Sequence, residues 1–194
     1  MIDIAATFQQ HMNTVASLHA MIPEIEKVAK RMSACIRHGG KILWMGNGGS
    51  AADSQHLAAE LVGRFTRERA GLASIALTTD TSILTAVGND YGYDAIFSRQ
   101  VEALARPGDV VVGITTSGNS PNILRAFDTA DALGVETVAF SGRDGGEAAK
   151  RARSALTVSA KETARIQECH ILIGHILCDW IEKEHALRVQ SEAS

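Results

Sequence analysis

The stretch GNGGSAADSQHLAAE, residues 46–60, decides the fold, and a short apolar run at residues 41–45 leads into it. The apolar run is typical of a buried strand, and the glycines after it turn the chain into a segment rich in helix formers. Such a loop aims backbone N–H groups at one point in front of a helix, where an anion is stabilised. We therefore expect a phosphate here, with Ser50 capping the helix and offering its hydroxyl to the anion.

Two ionisable side chains lie one turn apart on this predicted helix. His56 and Glu60 are four residues apart, so their imidazole and carboxylate project from the same face. Asp53 lies one turn before His56 on the same side. A pair of this kind binds a metal ion or moves a proton, and the residue types alone leave both roles open.

The composition limits the function classes. A chain of 194 residues suits one well-buried domain, so we predict a single domain over residues 1–194. The formal net charge of -3 gives no sign of a nucleic-acid partner. No apolar run reaches membrane-spanning length, and Asp3 stands where a signal peptide would be basic, so we expect no membrane association and a cytoplasmic location. The chain has an odd number of cysteines, Cys35, Cys169 and Cys178, and they lack metal-site spacing. This predicts buried free thiols in a reducing compartment.

Two helices are predicted over residues 1–38, ahead of an α/β core over residues 39–194. Apolar residues recur at helical spacing in both, for example Phe8 and Met12 in the first and Met32 in the second. These apolar stripes either pack on the sheet of the same chain or pack on copies of themselves. We favour the second interpretation, in which the two helices build an oligomer.

Strands alternate with helices through the core. We predict strands at 41–45, 72–78, 110–114, 135–141 and 155–158. The first predicted helix lies within 46–60. The second begins at 81 and stops at 88–92. The others are predicted at 94–105, 122–133, 145–152 and 163–185. This alternation with short connections predicts an α/β fold in three layers, with a doubly wound, five-stranded parallel sheet between helices. Ligands of such sheets bind beyond the carboxyl ends of the strands, which is where the polar loops fall.

A second polar loop, Thr115-Thr116-Ser117-Gly118-Asn119-Ser120, follows a continuous β-branched run and precedes a helix. Its hydroxyl and N–H donors together suit an anion. The same residue types also make ordinary turns, but two such loops at equivalent strand ends favour an anion site. Neither loop has the GxxxxGK[ST] or GxGxxG pattern, so nucleotide binding is disfavoured.

The closing helix offers a second pair of candidate ligands. Gln167 and His175 are rotated by only about 80° from each other around the helix, so both could reach one centre. Together with His56 and Glu60 they supply two imidazoles, a carboxylate and an amide oxygen, a set that suits zinc. His170 lies on the same apolar helix and is predicted to be a core residue with a satisfied hydrogen bond.

The chain resembles the bacterial phosphoheptose isomerases, a family of sugar-isomerase (SIS) domain proteins, in the loop at 46–60, the Asn89-Asp90 pair, the loop at 115–120 and the segment 164–175. The resemblance covers nearly the whole chain, including the two leading helices. The two loops alone would indicate only the SIS superfamily. The combination of His56 with Glu60 and Gln167 with His175 is specific to the isomerases.

The resemblance implies a flavodoxin-like SIS fold and an aldose–ketose isomerase. The reaction would convert sedoheptulose 7-phosphate to D-glycero-D-manno-heptose 7-phosphate by proton transfer through an enediolate. That reaction is the first step of ADP-heptose synthesis for the lipopolysaccharide core. The resemblance also implies one zinc ion per subunit and a homotetramer, with the leading helices in a central bundle and the active sites between subunits.

The same resemblance assigns residues to roles. The base and acid are Glu60 and His175. The zinc ligands are His56, Glu60, Gln167 and His175. The substrate-binding residues are Asn47, Gly48, Gly49, Ser50, Asp53, Glu60, Asn89, Asp90, Thr115, Thr116, Ser117, Ser120 and Gln167. A carboxylate held tightly by zinc is a weak base, so either Glu60 is a loose ligand, or its two duties alternate, or Asp53 assists.

Three other functions compete with this one. A non-catalytic SIS-domain protein of the replication-initiator-associating type is also a tetramer, but it lacks an acid and a base at the positions of Glu60 and His175, which are both present here. A sugar-phosphate-sensing regulator would need a DNA-binding segment, which we do not expect in this chain. Isomerases of other sugar phosphates are the nearest enzymatic alternative.

Overall fold

A five-stranded parallel sheet forms the centre of the computed structural model, which describes residues 3–192. The strands are β1 (Ile42–Gly46), β2 (Ser74–Ala76), β3 (Val110–Thr115), β4 (Glu136–Gly142) and β5 (Ser154–Val158). Their order in the sheet is β2-β1-β3-β4-β5, and all four strand pairs are parallel. The predicted α/β class with a doubly wound parallel sheet is confirmed.

Eight α-helices surround the sheet in the part of the chain that the structure describes. They are α1 (Ile4–Ser17), α2 (Ile22–Arg37), α3 (Gly49–Val62), α4 (Thr81–Tyr91), α5 (Ser98–Leu104), α6 (Pro121–Ala132), α7 (Gly146–Arg151) and α8 (Thr163–Glu192). Short 3-10 turns, Leu18–Met21 and Tyr93–Ala95, join α1 to α2 and precede α5. Pro121 stands in the first turn of α6, where a missing N–H costs nothing.

The sheet separates two hydrophobic clusters. In β1, Ile42 and Trp44 pack with α2, α3 and α8 on one face, whereas Leu43 and Met45 pack with α5 and α6 on the other. All residues of β1 and β3 are buried, because both faces of these central strands are covered by helices. This arrangement explains why both strands consist of nearly continuous apolar residues.

The strand order fixes where a ligand binds. Beyond β1 the chain winds outward to β2, and beyond β3 it winds the other way to β4 and β5. The loops after β1 and β3 therefore leave the carboxyl edge of the sheet side by side, which is the ligand-binding crevice of doubly wound sheets. The two polar loops predicted to bind an anion are these two loops.

Several predicted boundaries were wrong, and the cap of α3 was among them. α3 begins at Gly49 after Gly48, whose φ of 56° suits glycine, and no side chain caps the helix. Ser50 therefore lies inside the first turn and is not its N-cap. α4 ends at Tyr91, within the predicted stop at 88–92, and Gly92 follows it with a φ of 84°. The other differences are a shorter second strand, a 3-10 turn at the start of the predicted 94–105 helix, and an α8 that extends beyond residue 185.

The two leading helices differ in what they bury. α2 buries Ile25, Val28 and Met32 in the cluster that lies on the sheet, so intramolecular packing accounts for this helix. α1 has no buried residue. Its polar contacts with α8 include a 2.7 Å hydrogen bond between His11 Nδ1 and Glu168 Oε2. The oligomeric role of the leading helices stays a prediction, and α1 is the helix with an uncovered apolar stripe.

The three cysteines are buried and free, as predicted. Burial raises the pKa of the Cys178 thiol to about 12, so this thiol stays protonated and unreactive. Among residues 3–192, no helix has the length and apolar character required to cross a membrane.

His170 is the core histidine that the sequence predicts. Its side chain is buried between α8 and β4, and Nε2 lies 2.9 Å from the carbonyl oxygen of Ser141. Burial lowers the pKa of His170 to about 4, partly offset by this hydrogen bond, so the imidazole is neutral in the folded chain.

The buried neutral state of His170 makes stability depend on pH. The unfolded chain takes up this proton below about pH 6.5, whereas the native chain resists it until about pH 4. The contribution is complete above pH 6.5, and we expect up to about 3 kcal/mol of the unfolding free energy to be lost as the pH falls to 4. Urea denaturation of the wild type and of His170→Gln at several pH values measures this loss. Equal pH dependence in both proteins would contradict the prediction, and His19→Gln, at an exposed histidine, is the control.

Candidate active site

Three ligand-type side chains from α3 and α8 converge at one point. His56 Nε2 lies 3.1 Å from Glu60 Oε1 and 3.0 Å from His175 Nε2. The two imidazole rings meet nearly edge to face, with ring centroids 5.2 Å apart. One ligand atom from each of the three residues lies within 4.8 Å of the others, so the cluster could hold a divalent metal ion. We call these three residues the His–Glu–His cluster.

Close packing of the two helices brings this cluster together. α3 and α8 run in the same direction, since Gly49 contacts Gln167 at one end and the carbonyl of Leu57 faces Cys178 further along. Gly174 allows a close approach, because a Cβ there would lie only 2.5 Å from the methyl carbons of Leu57. The helices therefore meet one residue away from both His56 and His175.

The cluster is open to solvent on one side. The His56 side chain is 51% exposed and the Glu60 side chain 19% exposed. Phe65 covers part of the third member, since its ring centroid lies 5.5 Å from that of His175 at an interplanar angle of 32°. The exposed side leaves room for a small ligand in contact with the cluster.

Asp53 lies one turn before His56, and its atom Oδ2 is buried without a hydrogen-bond partner in the described chain. Burial raises the pKa of the Asp53 carboxyl, while the nearby His56 and His175 act in the opposite direction. A carboxyl in this state is suited to exchange a proton with a ligand. Its contact with substrate remains a prediction.

Gln167 lies at the first polar loop. Its side-chain amide touches Gly49, where any Cβ would overlap with the amide nitrogen. Along α8, Gln167 and His175 are separated by about 12 Å of helix rise. This position supports the predicted contact of Gln167 with substrate, and its role as a fourth metal ligand stays a prediction.

The second polar loop gathers hydroxyl groups in front of α6. Thr115 Oγ1 lies 2.9 Å from Ser120 Oγ and 3.4 Å from Ser117 Oγ. Gly118, with a φ of 70°, brings this loop against the backbone of Gly145, where a side chain would overlap. The hydroxyls of Thr115, Ser117 and Ser120 therefore form one cluster beside a helix N-terminus, as an anion site requires. Thr116 belongs to the same loop and is partly buried.

A pair of amides joins the two loops. Asn47 Nδ2 donates to Asn122 Oδ1 at 3.0 Å, and Asn122 Nδ2 donates to Asn47 Oδ1 at 2.8 Å. The hydroxyl of Tyr93 donates to the same Asn47 oxygen at 3.0 Å. Asn122 and Tyr93 were not predicted from the sequence, because neither belongs to a motif and their partner is distant in sequence.

The Asn89-Asp90 pair lies at the end of α4. Both residues are exposed, and Asn89 Nδ2 donates to Asp90 Oδ1 at 2.8 Å. Ser50 is buried in the first turn of α3, next to Gly48 and Gly49. The predicted contacts of these residues with a sugar phosphate are not tested by the arrangement and stay predictions.

A buried carboxylate organises the loop that follows α3. Glu182 accepts hydrogen bonds from the backbone N–H groups of Phe65, Thr66 and Arg67 at 2.8 to 2.9 Å, and Arg69 Nε lies 3.2 Å from Glu182 Oε1 as an ion pair. Although burial opposes the charged form, the three N–H donors outweigh it and lower the pKa of Glu182 to about 2. We call Glu182 and Arg69 the Glu182–Arg69 clamp. The sequence did hold a signal for it, since Glu182 follows His175 by seven residues and so lies on nearly the same face of α8.

Comparison with known proteins identifies similar chains. The family model described as SIS domain matches residues 7–142. The chain is 58% identical to the phosphoheptose isomerase of Aquifex aeolicus over 160 residues, which are 82% of this chain and 84% of that protein. It is 55% identical to the phosphoheptose isomerase of Geotalea daltonii over 182 residues, or 93% and 95% of the two chains.

Solved structures agree with these relatives. The phosphoheptose isomerase of Neisseria gonorrhoeae superposes with a TM-score of 0.88 at 46% identity, over 93% of this chain and 97% of that one. The structure of a phosphoheptose isomerase from Francisella tularensis gives a TM-score of 0.90 at 39% identity, over 93% and 96%. The similarity therefore extends over both polar loops and the helices that carry the His–Glu–His cluster.

Proposed function

The chain belongs to the phosphoheptose isomerase family of SIS-domain proteins, and from this we propose that it interconverts sedoheptulose 7-phosphate and D-glycero-D-manno-heptose 7-phosphate. The reaction is an aldose–ketose isomerisation at the start of ADP-heptose synthesis. The observation that supports it most directly is the convergence of Glu60 and His175 in one cluster, on α8 and on the helix α3 that follows the glycine-rich loop after β1. We further infer that residues 1–194 act as a single SIS domain, because α2 packs in the same hydrophobic cluster as the sheet.

The substrate phosphate is assigned to the loop after β3. The hydroxyls of Thr115, Ser117 and Ser120 and the N-terminus of α6 offer donors to its oxygens. Thr116 and Ser50 would also hold the phosphate. The loop after β1, at 47–49, would bind the sugar chain, with Asn89 and Asp90 contacting its hydroxyls. The amide pair between Asn47 and Asn122 keeps the two loops at a fixed separation, which suits a substrate that spans both.

Glu60 and His175 are assigned the proton transfers. Glu60 would remove a proton from C1 of the ketose, next to the C2 carbonyl, to give an enediolate, and the proton would return at C2. His175 would take the proton of the C1 hydroxyl and supply one to the C2 oxygen, which completes the aldose.

We assign zinc to the His–Glu–His cluster, one ion per subunit. Ligand atoms of a tetrahedral zinc ion lie about 3.4 Å apart when each bond is about 2.1 Å. The separations of His56 Nε2 from Glu60 Oε1 and from His175 Nε2, 3.1 and 3.0 Å, are close to that spacing. Bound zinc would stabilise negative charge on the substrate oxygens as a Lewis acid. Gln167 is the proposed fourth ligand.

Glu60 would then be both metal ligand and base. A cation lowers the proton affinity of the carboxylate that binds it, so the two duties compete. Asp53 offers a way around this competition, since its Oδ2 is buried and unpartnered and burial raises the pKa of its carboxyl. We propose that Asp53 assists the proton transfer as a second carboxyl beside the cluster.

The assembly proposed for the chain is a homotetramer with its active sites at subunit interfaces. The exposed apolar residues of α1, Ile4, Phe8 and Met12, are 54% to 67% exposed and form the stripe that a second copy would cover. His56 is half-exposed in the single chain, so a neighbouring subunit could also enclose the cluster. We place the protein in the cytoplasm, because its three buried cysteines are all free.

Turnover tests the two assigned proton-transfer residues. We expect Glu60→Gln and His175→Gln to lower kcat on sedoheptulose 7-phosphate by about a hundredfold or more, because positioned acids and bases contribute that much. Both variants should stay folded by circular dichroism. Glu68→Gln is the control, because this side chain is 92% exposed in the loop that follows α3, and it should be as active as the wild type. A variant with near-normal kcat would remove that residue from the mechanism, and faster turnover of another sugar phosphate would change the substrate.

Metal content tests the zinc assignment separately from activity. Purified wild-type chain is expected to hold one zinc per subunit by mass spectrometry, and dialysis against a chelator should remove it together with turnover. His56→Ala removes a ligand, so we expect zinc affinity to fall by more than about tenfold. Zinc added back to the chelated wild type should restore turnover. Full activity in zinc-free protein would refute a catalytic role for the metal.

Light scattering tests the assembly. We expect the wild type to be a tetramer and the double variant Phe8→Glu with Met12→Glu to be smaller, because two carboxylates on the α1 stripe resist burial. Leu133→Glu places one carboxylate on the opposite face of the sheet, at the end of α6, and should remain a tetramer. A wild-type monomer would overturn the proposed assembly and the interfacial active site.

A further inference from the structure

We propose that Glu182 and Arg69 are positioning residues. They fix the relative positions of the side chains in the His–Glu–His cluster, although neither supplies one of its ligand atoms. The inference rests on the proposed isomerase function, for which this cluster is the reaction centre. The clamp connects the end of α3, which carries His56 and Glu60, to α8, which carries His175. Each side of the connection has its own contacts.

On the α3 side, Arg69 fixes the backbone of Glu60 itself. Its Nη2 donates to the Glu60 carbonyl at 2.9 Å, and Nη1 donates to the carbonyls of Leu61 at 2.8 Å and Gly63 at 3.1 Å. Carbonyls in the last turn of a helix have no partner within the helix, and a cation there also interacts favourably with the helix dipole. Arg69 therefore sets the position of the turn from which the Glu60 side chain projects.

On the α8 side, Glu182 fixes the loop that covers His175. Its carboxylate binds three consecutive backbone N–H groups, of which the first belongs to Phe65. The ring of Phe65 lies against the His175 imidazole, with centroids 5.5 Å apart. Holding the backbone of Phe65 therefore limits the directions in which the imidazole can turn. An imidazole with fewer orientations keeps Nε2 aimed at the cluster.

The two sides depend on each other because the connecting ion pair is buried. The Glu182 side chain has no exposed surface and that of Arg69 is 3% exposed, so removing the Glu182 charge leaves the Arg69 guanidinium buried without its carboxylate. Removing Arg69 leaves Glu182 with a longer ion pair, to Arg67 Nη1 at 3.4 Å, and with its backbone N–H donors. The remaining partner would move toward water or toward other groups. Since Arg69 holds Glu60 and Glu182 holds Phe65, that movement would change the spacing between Glu60 and His175.

A purely structural role makes a different prediction from a positioning role. If the clamp only stabilises the fold, its loss lowers the melting temperature and the folded fraction, and the folded molecules bind zinc and turn over as the wild type does. If the clamp positions the cluster, the folded molecules themselves bind zinc less tightly and turn over more slowly. The KM for the sugar phosphate should be nearly unaffected, because the loops that hold the substrate do not contact the clamp through any of its hydrogen bonds in the described chain.

The experiment compares Glu182→Gln and Arg69→Lys with the wild type. Glutamine keeps the shape of the carboxylate without its charge, and lysine keeps the charge without the planar fork that binds several carbonyls. Glu184→Gln is the matched control, since Glu184 also lies on α8 and accepts a hydrogen bond from Trp180 Nε1 at 3.0 Å, away from the cluster. The measurements are the Zn²⁺ dissociation constant of metal-free protein by chelator competition, kcat and KM on sedoheptulose 7-phosphate, and the folded fraction by circular dichroism.

We expect the folded Glu182→Gln and Arg69→Lys proteins to bind Zn²⁺ about tenfold or more weakly and to lose kcat by a similar factor, with KM changed less than about twofold. The control should match the wild type. Wild-type Zn²⁺ affinity and kcat in folded variants would overturn the inference. If Glu182→Gln does not fold, Arg69→Lys decides the question by the same criteria. If the wild type has no isomerase activity, the proposed function fails, while the Zn²⁺ titrations still decide whether the clamp positions the cluster.

Discussion

Contact between α3 and α8 is the constraint on which the site depends. At Gly174 the two helices approach so closely that Leu57 occupies the space of a side chain. Because His56 and His175 each lie next to one of these residues, their imidazoles meet at 3.0 Å. A site with this spacing needs two rigid elements at a fixed distance, and a tightly packed helix pair provides it better than flexible loops would. The chemistry of the protein is thus set by core packing as much as by the reactive residues.

The sequence was sufficient for those features that depend on local pattern. Alternating apolar runs and helical segments predicted the parallel sheet. The glycine-rich loop after β1 was predicted at the carboxyl edge of the sheet, where the structure places it. Boundaries were less accurate where two residues of the same type compete for one role. The predicted stop of α4 covered 88–92, with a glycine at each end, and only the backbone conformation reveals that Gly92, with a φ of 84°, ends the helix. Ser50 similarly is of a residue type that caps helices but lies inside the first turn of α3, two residues after the cap position at Gly48.

Contacts between distant parts of the chain could not be predicted from residue patterns alone. Asn47 and Asn122 are 75 residues apart, and Phe65 and Glu182 are 117 apart, so their pairing follows from the fold and not from any motif. The His–Glu–His cluster joins residues that are 119 apart, and family resemblance supplied what spacing could not. Neither pair was predicted, and each positions a loop that carries or covers an assigned site residue. Supporting residues of this kind use common side chains, and only their surroundings make them recognisable.

The absence of any buried residue in α1 has a consequence for how the molecule is made. An isolated helix of 14 residues is marginal in water, since most helical stability comes from packing of an apolar face. In the single chain, α1 is held by polar contacts, such as the hydrogen bond between His11 and Glu168, and by partly buried apolar residues such as Val15. If the proposed assembly covers α1, folding of this helix and association of the subunits therefore form one coupled equilibrium. Dilution would fray the amino-terminal helix and separate the subunits together, so both change with protein concentration in the same way.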